Sequence, residues 1–256
     1  MRNCQLRSLK HATLSLVNQN ILSRLTECSN KGRIYNKYHY NNYGAEKMET
    51  NYKRKDTSKA ILDQIYGYIE KQGGIVKKEE LSSLGIDYRR ILDFVENGQL
   101  IRIKNGYYTD RADRFSEEEL IARLFPDALL CMESALYAYG YLKQKPFGWS
   151  LAVDKNTSKS RFKMDYPKVI PYYTEPESMK IGASKIVLDG NHFQIYDKDR
   201  MICDCLKYES KMERETFKTA MQEYIKDPDK DISALLEYAK ERKVLKKVQN
   251  MIGVWL

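Results

Sequence analysis

One stretch constrains the fold more than any other, residues 73–109, with the sequence GGIVKKEELSSLGIDYRRILDFVENGQLIRIKNGYYT. Near its end, Asn105-Gly106 lies between β-forming residues. This is a strong hairpin signal, because a type I′ turn needs positive φ at two successive residues. Upstream, Gly85 and Gly98 are natural ends for two short helices. The stretch therefore predicts two helices joined by a tight turn and followed by a hairpin, which is a winged helix-turn-helix.

The second helix of this stretch is amphipathic. Asp87 precedes it and offers a side-chain oxygen to the free amides of its first turn, as an N-cap does. The spacing predicts one apolar face, with Phe94 at its border, formed by Tyr88, Ile91, Leu92 and Val95. The opposite face is predicted to point outward and carries Arg89, Arg90, Asp93, Glu96 and Asn97. Because a winged helix usually lays this helix in the major groove, the outward face is the candidate DNA-reading surface.

Basic and polar side chains supply the predicted DNA contacts. Arg89 and Arg90 are predicted to contact base edges, since a guanidinium can bond guanine O6 and N7 together. We expect contacts to phosphates or the minor groove from residues at the start of the first helix and on the hairpin. The full predicted set is Lys77, Lys78, Tyr88, Arg89, Arg90, Asn97, Arg102, Lys104 and Asn105. The alternative is that these charges are merely solvated and the module binds protein.

Net charge alone is weak evidence for DNA binding here. The formal charge is +9, but the first 47 residues hold eight Lys or Arg and only two Asp or Glu. The remainder of the chain is therefore close to balanced. The DNA hypothesis depends on where individual Arg and Lys side chains lie.

The composition suggests three regions. Residues 1–52 are predicted to be a disordered basic leader, because the segment KGRIYNKYHYNNYGAEK has no helical or strand periodicity. We expect translation to start at Met48; a genuine basic arm that contacts DNA is the alternative. An amphipathic helix is predicted to start near Thr57. Residues 53–114 are predicted to form the winged helix-turn-helix, and residues 115–256 an α+β domain with a small sheet and a helical C-terminal array.

The second region alternates helix and strand signals. Ser116, followed by three glutamates, is a typical helix N-cap. That helix is predicted to end near Phe125, and another to span Cys131 to Leu142. Strands are predicted at 149–153, 168–173, 185–188 and 192–196, with a hairpin turn at Asp189-Gly190-Asn191. The later helices are predicted at 199–208, 213–226, 231–241 and 243–252.

Cysteine spacing favours a reducing cytoplasm, and hydropathy indicates no membrane span. The five cysteines are Cys4, Cys28, Cys131, Cys203 and Cys205, and none forms a CxxC pair. A disulfide framework or zinc site is therefore not expected. No apolar run approaches the ~20 residues that span a bilayer.

The chain resembles a known family at several places. The stretch 73–109 resembles the winged-helix domain of AbiE-type antitoxins, the repressor half of type IV abortive-infection toxin–antitoxin systems. The runs LLCMESAL at 129–136, DRMICDCLKY at 199–208 and LLEYAKERKV at 235–244 are similar to that family as well. The likeness covers about residues 57–252. One departure is Lys77-Lys78, which stands where such proteins usually place small capping residues.

The resemblance implies a phage-defence protein that represses its own promoter by binding inverted repeats. Two copies would bind, either as separate monomers or as a dimer. It also implies that the protein counters a nucleotidyltransferase-like toxin without a stable complex. A tRNA-directed toxin partner would favour RNA contact by the second domain, through Tyr172, Tyr173 and nearby lysines; packing of these aromatic side chains is the alternative.

The competing hypothesis is a nucleic-acid-modifying enzyme, a nuclease or nucleotidyltransferase, delivered by the winged helix. Gly182-Ala183-Ser184 with Asp197-Lys198-Asp199 faintly imitates a nucleotidyltransferase, but both aspartates fit better as helix-start residues. Asp229 with Glu241-Arg242-Lys243 imitates a nuclease, although that site needs its Glu and Lys on a strand. His192 has no identifiable nucleophile partner, and Cys203 is predicted to be a core residue. We therefore expect no enzyme activity, cofactor or metal.

Overall fold

The computed structural model describes residues 42–251, with side chains from residue 57 onward. The first element is the long helix α1, Asn42–Lys71. Its buried face includes Leu62, Ile65 and Ile69. The helix starts well before the predicted position at Thr57. Residues 42–52 of the predicted disordered leader belong to α1, so that part of the prediction is wrong. Residues 1–41 lie outside the described part of the chain, so the leader over those residues and the start at Met48 stay predictions.

Two short helices and a three-stranded sheet follow α1. In chain order they are β1 (Val76–Lys77), α2 (Lys78–Ser83), α3 (Tyr88–Glu96), β2 (Ile101–Lys104) and β3 (Tyr107–Thr109). The strands are antiparallel and ordered β1-β3-β2. Gly85 and Gly98 follow the two helices with φ of +79° and +68°, so both predicted helix ends are confirmed. We call residues 57–109 the N-terminal module.

The rest of the described chain combines helices with a mixed sheet. The helices are α4 (Glu117–Leu124), α5 (Met132–Ala138), α6 (Pro176–Lys180), α7 (Lys198–Lys207), α8 (Arg214–Lys226), α9 (Ile232–Glu241) and α10 (Leu245–Met251). The strands are β4 (Leu129–Leu130), β5 (Trp149–Asp154), β6 (Val169–Thr174), β7 (Ala183–Leu188) and β8 (Asn191–Tyr196). The predicted α+β class is confirmed.

The five strands form one sheet in the order β6-β5-β4-β8-β7. Strand β5 pairs parallel with β6, and β4 pairs parallel with β8, while β4–β5 and β7–β8 are antiparallel. The predicted hairpin at Asp189 is present, and Leu188 pairs with Asn191 across it. Asp189 and Gly190 have φ of +47° and +77°, as a type I′ turn requires.

Local capping signals place most helix ends as predicted. The Ser116 side chain accepts a hydrogen bond from Glu119 N–H at 3.2 Å. The helix predicted over Cys131 to Leu142 is shorter, because Gly140 adopts φ +77° and α5 ends at Ala138.

The predicted core position of Cys203 is confirmed, and burial raises the pKa of its thiol to about 12. Within residues 42–251, no helix is long and apolar enough to span a membrane.

A buried charge cluster joins α7 to the end of α9. Asp204 accepts hydrogen bonds from Arg200 Nε at 3.3 Å and Arg242 Nε at 2.6 Å. All three side chains are almost fully shielded from solvent. The Arg200 guanidinium also donates to the carbonyls of Ser178 and Ile181 and lies 4.2 Å from the ring centroid of Tyr196. One carboxylate thus pairs with two buried cations, one on α7 and one just after α9.

Removing this carboxylate should destabilise the fold strongly. Asp204→Asn leaves two buried guanidinium groups without an anionic partner, a loss of about 3–5 kcal/mol in the free energy of unfolding. Urea denaturation followed by circular dichroism measures it. The control Glu177→Gln removes an exposed carboxylate that pairs with Lys180, and should change stability by less than about 1 kcal/mol. Equal small effects of the two substitutions would contradict the cluster's structural role.

Candidate nucleic-acid interface

Helix α3 begins at a capped aspartate, as predicted. The Asp87 carboxylate accepts a hydrogen bond from Arg89 N–H at 2.7 Å. This bond fills one of the free amide positions at the helix start, where the positive end of the helix dipole also favours a carboxylate. The cap therefore sets where Arg89 and Arg90 leave the helix.

The buried face of α3 differs from the predicted one. Ile91 and Phe94 are its buried side chains, and Leu92 and Val95 are half-buried. Tyr88 was assigned to the buried face, which is wrong, since it is 36% exposed. Phe94, placed at the border, is instead 4% exposed and packs in the module core. The helix is therefore rotated so that its first residue lies at the edge of the core.

The two arginines of α3 are accessible. Arg89 is exposed and Arg90 half-buried. Within the described residues, neither guanidinium forms a hydrogen bond or an ion pair. Asp93 and Glu96, further along the helix, are also exposed. The start of α3 is thus more basic than its middle.

Lys77, Lys78 and Tyr88 lie together at the start of α2 and α3. Lys78 Nζ lies 4.5 Å from the Tyr88 ring centroid, a cation–π contact between the two helix starts. The backbone N–H of Lys77 donates to Glu80 Oε2 at 2.7 Å, so a glutamate side chain caps α2 in place of a small residue. Burial and the adjacent Tyr88 phenol raise the pKa of Tyr108 to about 12.

The hairpin turn is attached to the start of α2. Lys78 N–H donates to the Gly106 carbonyl at 2.8 Å, and Lys77 pairs with Tyr107 across β1 and β3. At the hairpin, the exposed Arg102 donates from Nη2 to Asn105 Oδ1 at 2.8 Å. The structure therefore brings Lys77 and Lys78, at the junction of β1 and α2, close to the predicted hairpin residues.

The turn itself is not the predicted type I′. Of its two central residues only Gly106 has a positive φ, at +80°. The register of β2 against β3 also shifts between Arg102 and Lys104. An irregularity in one strand changes the twist at the hairpin end, so the turn no longer needs two left-handed residues.

Lys104 does not belong to the exposed surface, which corrects its predicted DNA contact. Its side chain is buried, and Nζ donates to the Leu124 carbonyl at 3.1 Å. Nζ also lies 4.1 Å from the Phe125 ring centroid and 4.4 Å from that of Tyr107. Burial, reinforced by nearby Arg161, lowers the pKa of Lys104 to about 8. The residue links the hairpin to α4 instead of facing outward.

Asn97 lies at the opposite end of α3 from the arginines. It caps the end of α3, eight positions after Arg89, which is about 12 Å along the helix axis. Its side-chain amide donates to the Asp93 carbonyl at 2.7 Å and thereby closes the helix end. The structure therefore does not bring Asn97 together with the basic helix start.

A cleft beside the hairpin contains residues that the sequence analysis overlooked. It has a volume of about 650 Å³ and is lined by Arg102, Ile103, Lys104, Asn105, Ser160, Lys163, Met164 and Asp165. We call it the hairpin cleft. Half of its lining comes from the loop after β5, where four basic residues, at 155, 159, 161 and 163, occur within nine positions. This local density of positive charge is the feature of the sequence that could have indicated these residues.

The aspartates that imitated a catalytic pair have structural partners. Asp197 caps α7 through Arg200 N–H at 2.8 Å and accepts from the Tyr238 hydroxyl at 3.1 Å. Asp199 accepts from the Tyr224 hydroxyl at 2.6 Å and from Asp231 N–H at 3.1 Å. Burial raises the pKa of both carboxyl groups. Their predicted place at a helix start is confirmed.

Comparison with known proteins adds independent evidence on the N-terminal module. Residues 64–109, from within α1 to the end of β3, match the family model described as "Transcriptional regulator, AbiEi antitoxin". This segment resembles the AbiEi antitoxins. The family likeness inferred from the sequence is thus confirmed over these residues, and it supports an antitoxin or regulator role. No functionally curated protein gives a significant match.

A solved structure with a similar fold covers most of the chain. The crystal structure of the RV2827C protein from Mycobacterium tuberculosis aligns with a TM-score of 0.52 at 12% sequence identity. The alignment covers 73% of this chain and 76% of that protein. At this identity the likeness establishes similarity of fold only.

The buried ammonium of Lys104 predicts a specific pH dependence of stability. Its pKa is about 8 in the folded protein and 10.5 ordinarily, so the unfolded chain binds more protons between these values. The free energy of unfolding should therefore rise with pH through this window, by about 3 kcal/mol from this group. The same contribution is lost as the pH falls back through about 8.

Urea denaturation of Lys104→Met between about pH 7 and 10.5 tests this assignment. The variant should lack the rise, and the difference between wild-type and variant profiles isolates the lysine from other titrating groups. Lys71→Met, at an exposed position of α1, should keep the wild-type profile. A rise that persists unchanged in Lys104→Met would show that Lys104 is not its source.

Proposed function

We propose that the N-terminal module is a winged helix-turn-helix that binds double-stranded DNA. Its α2–turn–α3 pair is followed by the β2–β3 hairpin, and Lys78 N–H joins that hairpin turn to α2. In such a module α3 enters the major groove and the hairpin follows the backbone or minor groove. The family match over residues 64–109 supports this proposal.

One observation carries the proposal: two guanidinium groups leave the start of α3 without a protein partner among the described residues. A recognition helix usually contacts base edges with the residues of its first turns. Arg89 and Arg90 occupy this position, with Lys77 and Lys78 close by at the start of α2. We assign base contacts to the two arginines and phosphate contacts to Lys77, Lys78, Arg102 and Asn105.

Tyr88 acts indirectly in this proposal. Its ring holds the Lys78 ammonium at 4.5 Å, which directs that charge toward the α3 side of the module. Asp93 and Glu96, exposed further along α3, would repel phosphates and limit how deeply the helix enters the groove. The contact surface is therefore concentrated at the helix start and the hairpin.

At the level of the organism, we infer a cytoplasmic autorepressor and antitoxin. It would bind inverted repeats in its own promoter, as the family likeness suggests, and counter a nucleotidyltransferase-like toxin without a stable complex. Residues 115–256 would carry the antitoxin role, and RNA contact by this domain would be compatible with that role. We propose no catalysis, since Asp197 and Asp199 already serve as hydrogen-bond acceptors for helix starts and tyrosines.

The double substitution Arg89→Ala/Arg90→Ala tests the proposed DNA contact. Each lost base contact costs about 1–3 kcal/mol, so loss of two should lower affinity for the DNA upstream of the gene by at least about 30-fold. Fluorescence anisotropy with a labelled duplex of that region measures the effect, and circular dichroism checks the fold. Discrimination against an unrelated duplex should also decrease.

The matched control is Arg214→Ala, an exposed arginine at the start of α8. It should leave affinity nearly unchanged. If wild-type protein does not distinguish its upstream DNA from an unrelated duplex, or if the double variant binds as well as wild type, the repressor proposal is wrong.

A further inference from the structure

The hairpin cleft has basic side chains on both of its walls. Arg102 stands on the hairpin side, and Lys163 on the side formed by the loop after β5. Both are exposed, as is Lys159 in the same loop. Within the described residues, Lys159 and Lys163 form no ion pair. Arg102 and Lys163 thus place exposed positive charge on the two walls of the cleft, and Lys159 adds a third exposed cation in the same loop.

The loop wall is held in a fixed position by its own buried residues. The Phe162 ring stacks on Phe125, with centroids 5.6 Å apart, while the Lys104 ammonium of the hairpin lies 4.1 Å from that same Phe125. Arg161 forms a two-point ion pair with Asp127, just after α4. Phe125 therefore connects the hairpin to residues 159–162, and the lysines on either side project from an anchored backbone.

The cleft continues the surface assigned to DNA. Arg102 and Asn105 line it and are also the hairpin residues of the proposed interface. Asp165, which is also exposed, lies on the loop wall and reduces the positive charge of the cleft. A phosphate is expected where Arg102 and Lys163 are exposed. A duplex backbone that passes the hairpin tip supplies a row of such phosphates.

We propose that residues 158–165 form a second DNA-contacting segment, supplied by the part of the chain after the N-terminal module. Lys163 and Arg102 bind one backbone phosphate from opposite walls of the cleft, and Lys159 binds a neighbouring phosphate. This inference rests on the proposed function and extends it. It assigns the second part of the chain a direct role in gripping the operator.

The salt dependence of DNA binding tests this assignment. Each phosphate contact adds about 0.9 to the slope of log K against log salt concentration. The variant Lys159→Gln/Lys163→Gln should therefore lower the magnitude of the slope by about 1 through the lost Lys159 contact, and by less than about 2 in total, because Arg102 keeps a contact to the phosphate that it shares with Lys163. Because phosphates carry no sequence information, the same decrease is expected on the upstream duplex and on a mixed-sequence duplex. Anisotropy titrations over a range of KCl concentrations give the slopes.

The control variant Lys185→Gln/Lys218→Gln removes the same charge elsewhere. Lys185 lies on β7, the opposite edge of the sheet from β6, against which residues 159–162 pack, and Lys218 lies on α8. All four lysines are exposed, so neither variant is expected to unfold. The control should keep the wild-type slope.

A second measurement tests whether Arg102 and Lys163 share a phosphate. If they do, Arg102→Gln and Lys163→Gln should lose less affinity together than the product of their separate losses. Independent effects of full size would overturn the shared contact.

The outcomes separate this inference from the proposed function. An unchanged salt slope in Lys159→Gln/Lys163→Gln overturns the proposal of a second DNA-contacting segment. If Arg89→Ala/Arg90→Ala still loses binding in the same experiments, the winged-helix proposal is unaffected by that result. Equal slope losses in the test and control variants would indicate a general effect of charge, and would also overturn the proposal that residues 158–165 contact DNA. If wild-type protein does not bind duplex DNA, both proposals fail.

Discussion

The geometry of the proposed interface depends on one buried ammonium group. Lys104 leaves the hairpin and donates to the Leu124 carbonyl at the end of α4. The last carbonyls of a helix have no partner within it and carry the negative end of its dipole, so this position suits a cation. The aromatic faces of Phe125 and Tyr107 complete its surroundings. The hairpin is thereby fixed to the second part of the chain.

Other contacts strengthen the same junction. Arg123 donates to the Gly73 carbonyl at 2.8 Å, and Arg114 pairs with Glu70 at the end of α1. Gly74 has φ +101°, and a Cβ there would lie 2.6 Å from the Phe115 ring. Glycine is needed at position 74 because the segment that contains Phe115 passes too closely to leave room for a side chain. The module is consequently held at the end of α1 as well as at the hairpin.

Signals that act within a few residues were sufficient to predict much of the fold. Asp87, Ser116 and Asp197 cap helices where the sequence indicated, because a cap involves only the next two or three residues. The two Asx-Gly turns show the limit. Asp189-Gly190 adopts the expected pair of positive φ angles, whereas Asn105-Gly106 does not, since an irregularity in β2 alters the strand twist. The register with a partner strand is not encoded in the turn.

The candidate site was predictable in its exposed part only. Arg89, Arg102 and Lys77 are exposed and Lys78 is half-buried, and their positions follow from helix and strand spacing. The burial of Lys104 depends on Phe125 and Leu124, which meet it only after the second part of the chain has packed. The rotation of α3 that buries Phe94 and exposes Tyr88 likewise depends on the surrounding core, which periodicity alone does not specify.

The bond from Lys78 N–H to the Gly106 carbonyl has a consequence for the thermodynamics of recognition. It ties the hairpin tip to the start of α2, so the tip cannot bend away without losing this bond. The surface that meets the duplex is thus preorganised. Little conformational entropy remains to be lost on association, and more of the favourable contact energy is retained as affinity.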